Sequence, residues 1–440
     1  MPLSKISSDK VFVGEGSLSQ LDNILPRYKN ILLFNDKDGF HPCGAADYFN
    51  QKLNQKFLQG GQKREAGKLG SWEVKKIKEN YKIQNTNYKQ KISKKFLQGG
   101  PGGAVFSKSA PPGRRRQEIQ YVSYAGKALP IEDVEEKYRE VKDNPGVDLI
   151  IAVGGGTIID IAKIISIAYS NGCAKVAEIL SDRTLGNRLD LIFIPTTAGT
   201  GSETTSFAVV YRDKVKISID HKSLLPTYVV LDPLLLKSLP TPILNSTVLD
   251  ALAQAIESIW ARGGTKESRE YSKEAIALIL DNLDKENSLE RLSGFQVASH
   301  LAGKAINISK TTLPHSISYP ITSRFGVPHG ISVFLTLPKV AELNYYAAED
   351  TVQQGVQTAD IEKNFSVLFS LFGVDGIDGL RERLMDVMKK LGFSARLRDY
   401  GIGREELSFL ANNALTRGRS DNNPRKVDRV DVLKLLEEIY

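Results

Sequence analysis

The chain predicts an α/β N-terminal half with a mostly parallel sheet, followed by an all-helical C-terminal half. Up to about residue 237, apolar runs of strand length alternate with helical periodicity. Two of those runs, "VDLIIAV" and "LDLIFIP", are apolar at nearly every position, the pattern of parallel strands covered on both faces. Beyond Pro240, long helical patterns such as "VLDALAQAIESIW", "SREYSKEAIALILDNL" and "LRERLMDVMKKLGF" take over, with few strand signals. At 440 residues the chain is also too long for one core, because single cores stop growing near about 250–300 residues. Two domains are therefore expected, 1–237 and 238–440.

Taken in order, "KVFVGEG" and "NILLF" read as strands, and "GAADYFNQKL" as a helix on which Ala45, Phe49 and Leu53 share a face. Residues 52–116 break the alternation with paired glycines, basic runs and a near-repeat, "QKFLQGG" and "KKFLQGG". Two seven-residue copies are too few and too short for a solenoid. The segment reads as an inserted, largely disordered surface loop with a helix over "SWEVKKIKENYK". Alternation resumes with "EIQYVSYAG" as a strand and "PIEDVEEKYREVKD" as an amphipathic helix. "VDLIIAVGGG" follows as a buried strand, "TIIDIAKIISIAYSNG" as a helix ended by glycine, and "LDLIFIPTTAGTGSE" as a strand running into a Thr/Gly loop.

Charge is unevenly placed. The formal net charge is +8, yet residues 52–116 carry 17 Lys and Arg against 3 Asp and Glu, so the insertion holds +14 and the remainder −6. A basic protein overall is thus a mildly acidic one with a basic insert, and nucleic acid is not expected as a partner of the main body. Cys43 and Cys173 are too few for a disulfide framework, and "MPLSKISSDKVFVG" has no apolar leader core. Apolar runs stay far below the roughly 20 residues of a membrane span. No membrane partner and a cytoplasmic location are the expectation.

The turn "AVGGGTIIDIAK" places Gly154, Gly155 and Gly156 where a buried strand meets a helix. There a phosphate can approach the backbone while Thr157 and the helix N-terminus donate hydrogen bonds. A tight turn that binds nothing would need the same glycines, and the run is not the G-x-G-x-x-G fingerprint. "PTTAGTGSE" also follows a buried strand and offers hydroxyls and backbone N–H groups. Two such loops at strand ends suggest one dinucleotide across the sheet edge.

The chain has five histidines, and two of them, His315 and His329, bracket "HSISYPITSRFGVPH". Either alone reads more simply as a structural histidine. Asp250 changes the weighing, because an unpaired carboxylate within "LDALAQAI" costs several kcal/mol and calls for a cation. One Asp and two His make a reasonable divalent site with positions left for substrate. Gln254, four residues on, shares the helix face of Asp250.

These motifs, in this order, resemble the iron-containing (group III) alcohol dehydrogenases over nearly all of the chain outside 52–116. Within that family, "DALAQAIES", "PHSISYPITS" and "FGVPHG" resemble the phosphonoacetaldehyde reductase-like branch. The resemblance implies a dinucleotide-binding α/β domain and a helical metal-binding and substrate domain, an architecture shared with dehydroquinate synthase. It also implies NAD or NADP, a divalent metal such as Fe or Zn, a small aldehyde or alcohol substrate, and a homodimer. The family's four metal positions fall on Asp250, Gln254, His315 and His329. Histidine is usual at the second, and another usual histidine falls on Tyr319. Gln254 then either offers its amide oxygen to the metal or only orients Asp250 or a water.

By the same resemblance Gly154, Gly155, Gly156, Thr157, Asp160, Thr196, Thr197, Thr200 and Lys216 lie along the cofactor. Asp36 matches a position that binds ribose hydroxyls, a lean towards NAD that the neighbouring Lys37 weakens. Tyr319 is either a proton donor to the alkoxide or a packing aromatic. Arg324, between the histidines, is a candidate for holding a phosphonate or is simply solvated. The expected reaction is reduction of a small aldehyde, in the branch phosphonoacetaldehyde to 2-hydroxyethylphosphonate. Two other readings remain: a dehydroquinate-synthase-like lyase using NAD and metal, and a cofactor-binding scaffold whose basic insert holds nucleic acid.

Overall fold

The computed structural model of the protein describes residues 10–50, 118–126, 129–182, 184–213 and 215–440. The basic insertion, its near-repeat and its expected helix lie outside these residues. Among the described residues, six strands form one parallel sheet: β1 (Val11–Val13), β2 (Asn30–Asp36), β3 (Glu118–Tyr124), β4 (Leu149–Gly154), β5 (Asp190–Pro195) and the strand Tyr228–Leu231. A separate antiparallel hairpin joins β6 (Phe207–Arg212) to β7 (Val215–Asp220), so Tyr228–Leu231 is β8. The sheet order is β1-β8-β5-β4-β2-β3.

Both apolar runs that predicted buried parallel strands lie at the middle of this sheet. Every residue of β4 is buried, and all but the first of β5. Phe34 of β2 pairs with Ala152 of β4, and Gly154 of β4 pairs with Pro195 of β5. This register sets the ends of three strands side by side, with the Gly and Thr loops leaving from neighbouring strands.

The longer helices are numbered here in chain order. The amphipathic α1 (Ile131–Val141) buries Ile131, Val134, Tyr138 and Val141, the three- and four-residue spacing of one face. Glu132 and Asp133 in its first turn and Arg139 in its last suit the helix dipole. The next, α2 (Gly156–Ser170), is buried almost all round because the sheet covers one side and the β6–β7 hairpin part of the other, with Ala208, Val210 and Ile219 in the same core. Past it, Gly172 takes a left-handed φ of 61°, the glycine stop that was expected.

The hairpin and β8 are strands that the sequence reading did not name. The hairpin turn uses Asp213 at φ 50°, a conformation aspartate tolerates better than most residues. Its strands are only half-buried, so their hydrophobic signal is diluted.

After β8 the chain is helical: α3 (Thr241–Trp260), α4 (Lys266–Leu283), α5 (Leu289–Ser309), α6 (Leu313–Phe325), α7 (His329–Tyr345), α8 (Thr358–Phe372), α9 (Gly376–Lys390) and α10 (Arg429–Glu438). The central one is α3, packed against α4, α5 and α7 and buried along nearly its whole length. A helix buried on all sides must find partners inside the protein for each polar side chain it carries. Asp250, Gln254 and Glu257 all lie on α3. Among the described residues, no helix is long and apolar enough to cross a membrane.

Candidate active site

The two Gly/Thr loops meet. Thr196 N donates to Gly154 O at 3.1 Å, and a side chain at Gly156 would lie 2.7 Å from Thr200 Oγ1. The glycine therefore lets the start of α2 lie against the second loop. Asp36, at the end of β2, is the next residue after Asn35, whose register partner is Val153. Its carboxylate accepts the N–H of Asp38 at 3.0 Å.

Lys163, on α2, was not singled out from the sequence. It is fully buried, and its ammonium donates to Ser202 O (2.6 Å), Thr205 O (2.8 Å) and Phe207 O (2.9 Å). Burial pulls its pKa down to about 8, against the opposing pull of Asp160 and Glu203. Asp160 accepts from Ser202 Oγ (2.7 Å) and Val209 N (3.0 Å). Burial raises its pKa against the pull of Lys163. Together they fasten the second loop to α2.

From the helical side, α5 holds the same loop with a stripe at four- and seven-residue spacing. Gln296 Nε2 donates to Pro195 O (3.2 Å), His300 Nδ1 stands 3.3 Å from Glu203 Oε1, and Asn307 Oδ1 accepts from Ser206 N (2.8 Å).

Opposite the loops, α3, α6 and α7 bring Asp250, His315 and His329 together. One ligand atom from each lies within 4.8 Å of the others. His329 is the first residue of α7, and the following Gly330 is where α7 touches α3. A Cβ there would come within 1.9 Å of Ser246 O and 2.9 Å of Asp250 N. The glycine in "VPHG" is thus what lets His329 reach the Asp250 helix.

Glu257 is the second residue that sequence reasoning passed over. It lies seven residues after Asp250, on the same face of α3, fully buried. Its Oε2 bonds His315 Nδ1. Its Oε1 accepts from Thr312 Oγ1 (3.0 Å), Thr312 N (3.4 Å) and His315 N (3.3 Å). The carboxylate therefore holds both the His315 ring and the first turn of α6. With Nδ1 taken, Nε2 faces Asp250, the carboxylate–histidine arrangement common behind metal-binding imidazoles. Trp260 Nε1 adds a bond to Thr312 Oγ1 (3.0 Å).

Two oxygens fit a cation. Asp250 Oδ1 and Gln254 Oε1 are buried and make no hydrogen bond. His315 Nε2 lies 3.3 Å from Asp250 Oδ1, close enough for charge attraction, but not aligned for a hydrogen bond. Gln254 Nε2 donates to Thr200 O at 3.5 Å, which fixes the amide with its oxygen left over. Orphaned buried acceptors beside two imidazoles are the donor set of a borderline divalent ion.

Charges here act strongly on one another. Burial raises the Asp250 pKa, but His329 and His315 hold it below its ordinary value. Burial opposes protonation of His315, yet Glu257 and Asp250 outweigh it and push its pKa up to about 10. Burial takes His329 down to about 3, with Asp250 opposing.

An ion held by His315 would need the neutral imidazole, so its binding would expel the His315 proton. Affinity should therefore rise with pH, about tenfold per unit below pH 10. Chelator-competition titrations at several pH values measure this slope. A flat profile would show that His315 is already neutral.

Tyr319 and Lys216 complete the floor. The Tyr319 ring stacks on His329 with centroids 6.3 Å apart, and Lys216 Nζ sits 3.7 Å from the Tyr319 ring centre. Burial raises the phenol, but Lys216, Arg419 and His315 more than reverse this, to about 8. A cavity of about 230 Å³ joins Gly156, Thr157, Thr200 and Lys216 to Asp250, Gln254, His315, Tyr319 and His329.

Arg324 is a correction: it does not line this cavity. Its guanidinium pairs with Glu406 at 2.9 Å and lies over the Phe409 ring at 4.1 Å, with nearly half of the side chain exposed. Sequence proximity to the histidines misled, because Arg324 lies at the far end of α6 from His315. The arginine that does line the cavity is Arg419, from a turn near the C-terminus.

A parallel α/β half whose loops face an Asp–His–His cluster across a shared cavity is the build of an NAD(P)-dependent alcohol dehydrogenase. Residues 108–233 match the iron-containing alcohol dehydrogenase family and residues 245–440 match the C-terminal part of the Fe-containing alcohol dehydrogenase family. The chain belongs to this family of oxidoreductases, which use NAD(P) and a divalent metal.

It is 29% identical over 305 residues to a phosphonoacetaldehyde reductase of Streptomyces viridochromogenes, an overlap of 66% of this chain and 76% of the relative. With a probable alcohol dehydrogenase of Escherichia coli it shares 31% over 297 residues, 66% of this chain and 72% of the relative. The iron-containing alcohol dehydrogenase structure from Thermotoga maritima superposes with a TM-score of 0.73 at 22% identity, covering 98% of this chain and 97% of that one. The first two are similarly distant although one is a named reductase and the other a probable dehydrogenase, so likeness alone leaves the substrate open.

Proposed function

We propose that the chain is a metal-dependent reductase of a short aldehyde, with Asp250, His315 and His329 holding the ion and Gln254 Oε1 as a fourth donor. The observation that carries this is the pair of orphaned buried oxygens, Asp250 Oδ1 and Gln254 Oε1, beside the two imidazoles. When bound, the metal supplies Lewis acidity and the reduced nicotinamide supplies hydride. The chain's own groups do the rest. Gly154, Gly155, Gly156 and Thr157 cradle the pyrophosphate at the start of α2, with Thr196, Thr197 and Thr200 on the facing loop. Asp36 at the end of β2 binds ribose hydroxyls and favours NAD over NADP. Asp160 and Lys163 keep the loop in place and need not touch the cofactor.

Tyr319 Oη gives its proton to the product oxygen, and Lys216 above the ring steadies the phenolate that remains. Glu257 keeps His315 turned so that Nε2 faces the ion. The substrate we favour is phosphonoacetaldehyde, reduced to 2-hydroxyethylphosphonate. The branch motifs "DALAQAIES", "PHSISYPITS" and "FGVPHG" support it, beside the likeness to the reductase of Streptomyces viridochromogenes.

The test is direct. Protein purified without added metal is analysed for bound ions, then assayed for NADH oxidation with phosphonoacetaldehyde before and after chelation and with metal restored. Turnover that is insensitive to chelation would overturn the metal assignment.

Gln254 has its own measurement. Gln254→His should tighten ion binding by about tenfold or more, because imidazole nitrogen is the better donor for a borderline ion. An unchanged Kd by competitive titration would remove Gln254 from the coordination set.

A further inference from the structure

We infer that Arg419 and Lys216 form the anion-binding end of the substrate cavity and select short aldehydes whose far end carries negative charge, a dianion above a monoanion. The inference rests on the reductase reading above. Its basis is a charge imbalance. Both side chains line the same cavity as Asp250 and the histidines, and both are half-buried. Among the described residues neither forms an ion pair, whereas the nearby Lys310 pairs with Asp220 at 2.7 Å and Arg324 with Glu406 at 2.9 Å. The carboxylates whose fields reach the two cations are engaged elsewhere. Asp160 accepts from Ser202 and Val209, and Asp220 from Lys310 and Ser206 Oγ (2.7 Å).

Two cations without a counter-ion in one confined space repel each other and lose hydration, so an anion entering between them is strongly favoured. Among the described residues the Lys216 ammonium meets only Tyr319, through the ring face and the phenol, a neutral partner that leaves N–H donors over for an anion.

The turn that carries Arg419 is fixed in place, and the Arg419 Nη1 donates to Gly418 O at 3.1 Å, which leaves its other N–H groups for a ligand. The turn is tied down by Asn422, whose Nδ2 donates to Ser309 O (2.8 Å) and Thr311 O (3.0 Å) and whose Oδ1 accepts from Gly263 N (2.9 Å). Thr416 N donates to Ser316 Oγ at 2.8 Å, which ties the same turn to α6, the helix of His315 and Tyr319. A turn pinned to α5 and α6 at once holds its arginine at a set depth, which a selective site requires. The cation count favours a phosphonate: two positive groups balance its two charges, while a sulfonate or carboxylate balances one.

The test measures binding and turnover separately. Calorimetry on the metal-containing protein with NAD+ present would use 2-hydroxyethylphosphonate, 2-hydroxyethylsulfonate, 3-hydroxypropanoate and 1-propanol, at a pH where the phosphonate is dianionic. The phosphonate should bind at least tenfold tighter than either monoanion, and the monoanions tighter than 1-propanol. Arg419→Met should raise the phosphonate Kd at least tenfold and Lys216→Met somewhat less, with the Kd of NAD+ moved less than twofold by Arg419→Met and unchanged melting curves.

Affinities that do not follow ligand charge would overturn the proposal. So would an Arg419→Met effect seen on NAD+ rather than on the phosphonate, which would give the arginine to a cofactor phosphate. Turnover then separates the two readings. Reduction of propanal and phosphonoacetaldehyde with equal kcat/KM, unaltered in ratio by Arg419→Met, sinks the anion site and leaves the reductase. Arg419-dependent phosphonate binding with no aldehyde reduced sinks the reductase and leaves the anion site.

Discussion

Gly330→Ala should abolish ion binding and cost about 3 kcal/mol or more of stability, the upper range for overpacking a rigid contact. The added methyl would lie 1.9 Å from Ser246 O and 2.9 Å from Asp250 N. Both are backbone atoms of α3, which is buried along nearly its whole length, so no flexible side chain can turn aside. The start of α7 has to move away by an ångström or more, and it takes His329 with it. Because Asp250, His315 and His329 ligand atoms share a space only 4.8 Å across, such a shift removes one donor from reach. Chemical denaturation measures the stability, and metal content after dialysis measures the binding. Wild-type metal content in a correctly folded Gly330→Ala protein would mean that His329 is not a ligand.

Glu257 supplies the second large effect, and two substitutions separate its roles. Glu257→Ala removes the acceptor for Thr312 N, Thr312 Oγ1 and His315 N at once and leaves those donors buried without partners. Breaking such a buried charged network costs about 3–5 kcal/mol. Glu257→Gln keeps the shape and one acceptor oxygen but removes the charge that draws the His315 ring. Metal affinity for the neutral imidazole, read where the His315 proton no longer competes, should fall about 10–100-fold, the usual effect of losing the group behind a metal-binding histidine, while the melting temperature falls much less than in Glu257→Ala. The His315 pKa should also fall, because the first of the two carboxylates raising it is gone. Nuclear magnetic resonance of the imidazole follows this directly. An unaltered His315 titration in Glu257→Gln would show that Glu257 only packs.

Much of the fold was legible because its signals are local. The apolar runs of β4 and β5 are apolar because both faces of the sheet are covered, and the change of period after Pro240 marks where helices take over. The β6–β7 hairpin was not legible, since half-buried strands dilute their own pattern.

Site residues divide the same way. Asp250 announced itself as a charge in an apolar helix, and Glu257 was readable on the same helical face at seven-residue spacing, had the face been followed further. Lys163 gave no signal, because a single lysine in an apolar helix looks the same whether its end reaches water or, as here, the backbone carbonyls of the 202–207 loop. Arg324 was singled out because it stands between the histidines in sequence, and sequence distance along a helix says little about which side chain enters a cavity.

The sequence by itself determined the class of protein: an α/β half, a helical half, two Gly/Thr loops and an Asp with two His, all set by periodicity and by the cost of burying polar groups. Only the tertiary structure decided which groups share one space. It brought Arg419 and Lys216 into the cavity and left Arg324 outside, put Glu257 behind His315, and let Gly330 close α7 onto α3. Those choices depend on contacts between residues distant along the chain, and local pattern holds no information about the ångström at which two helices meet.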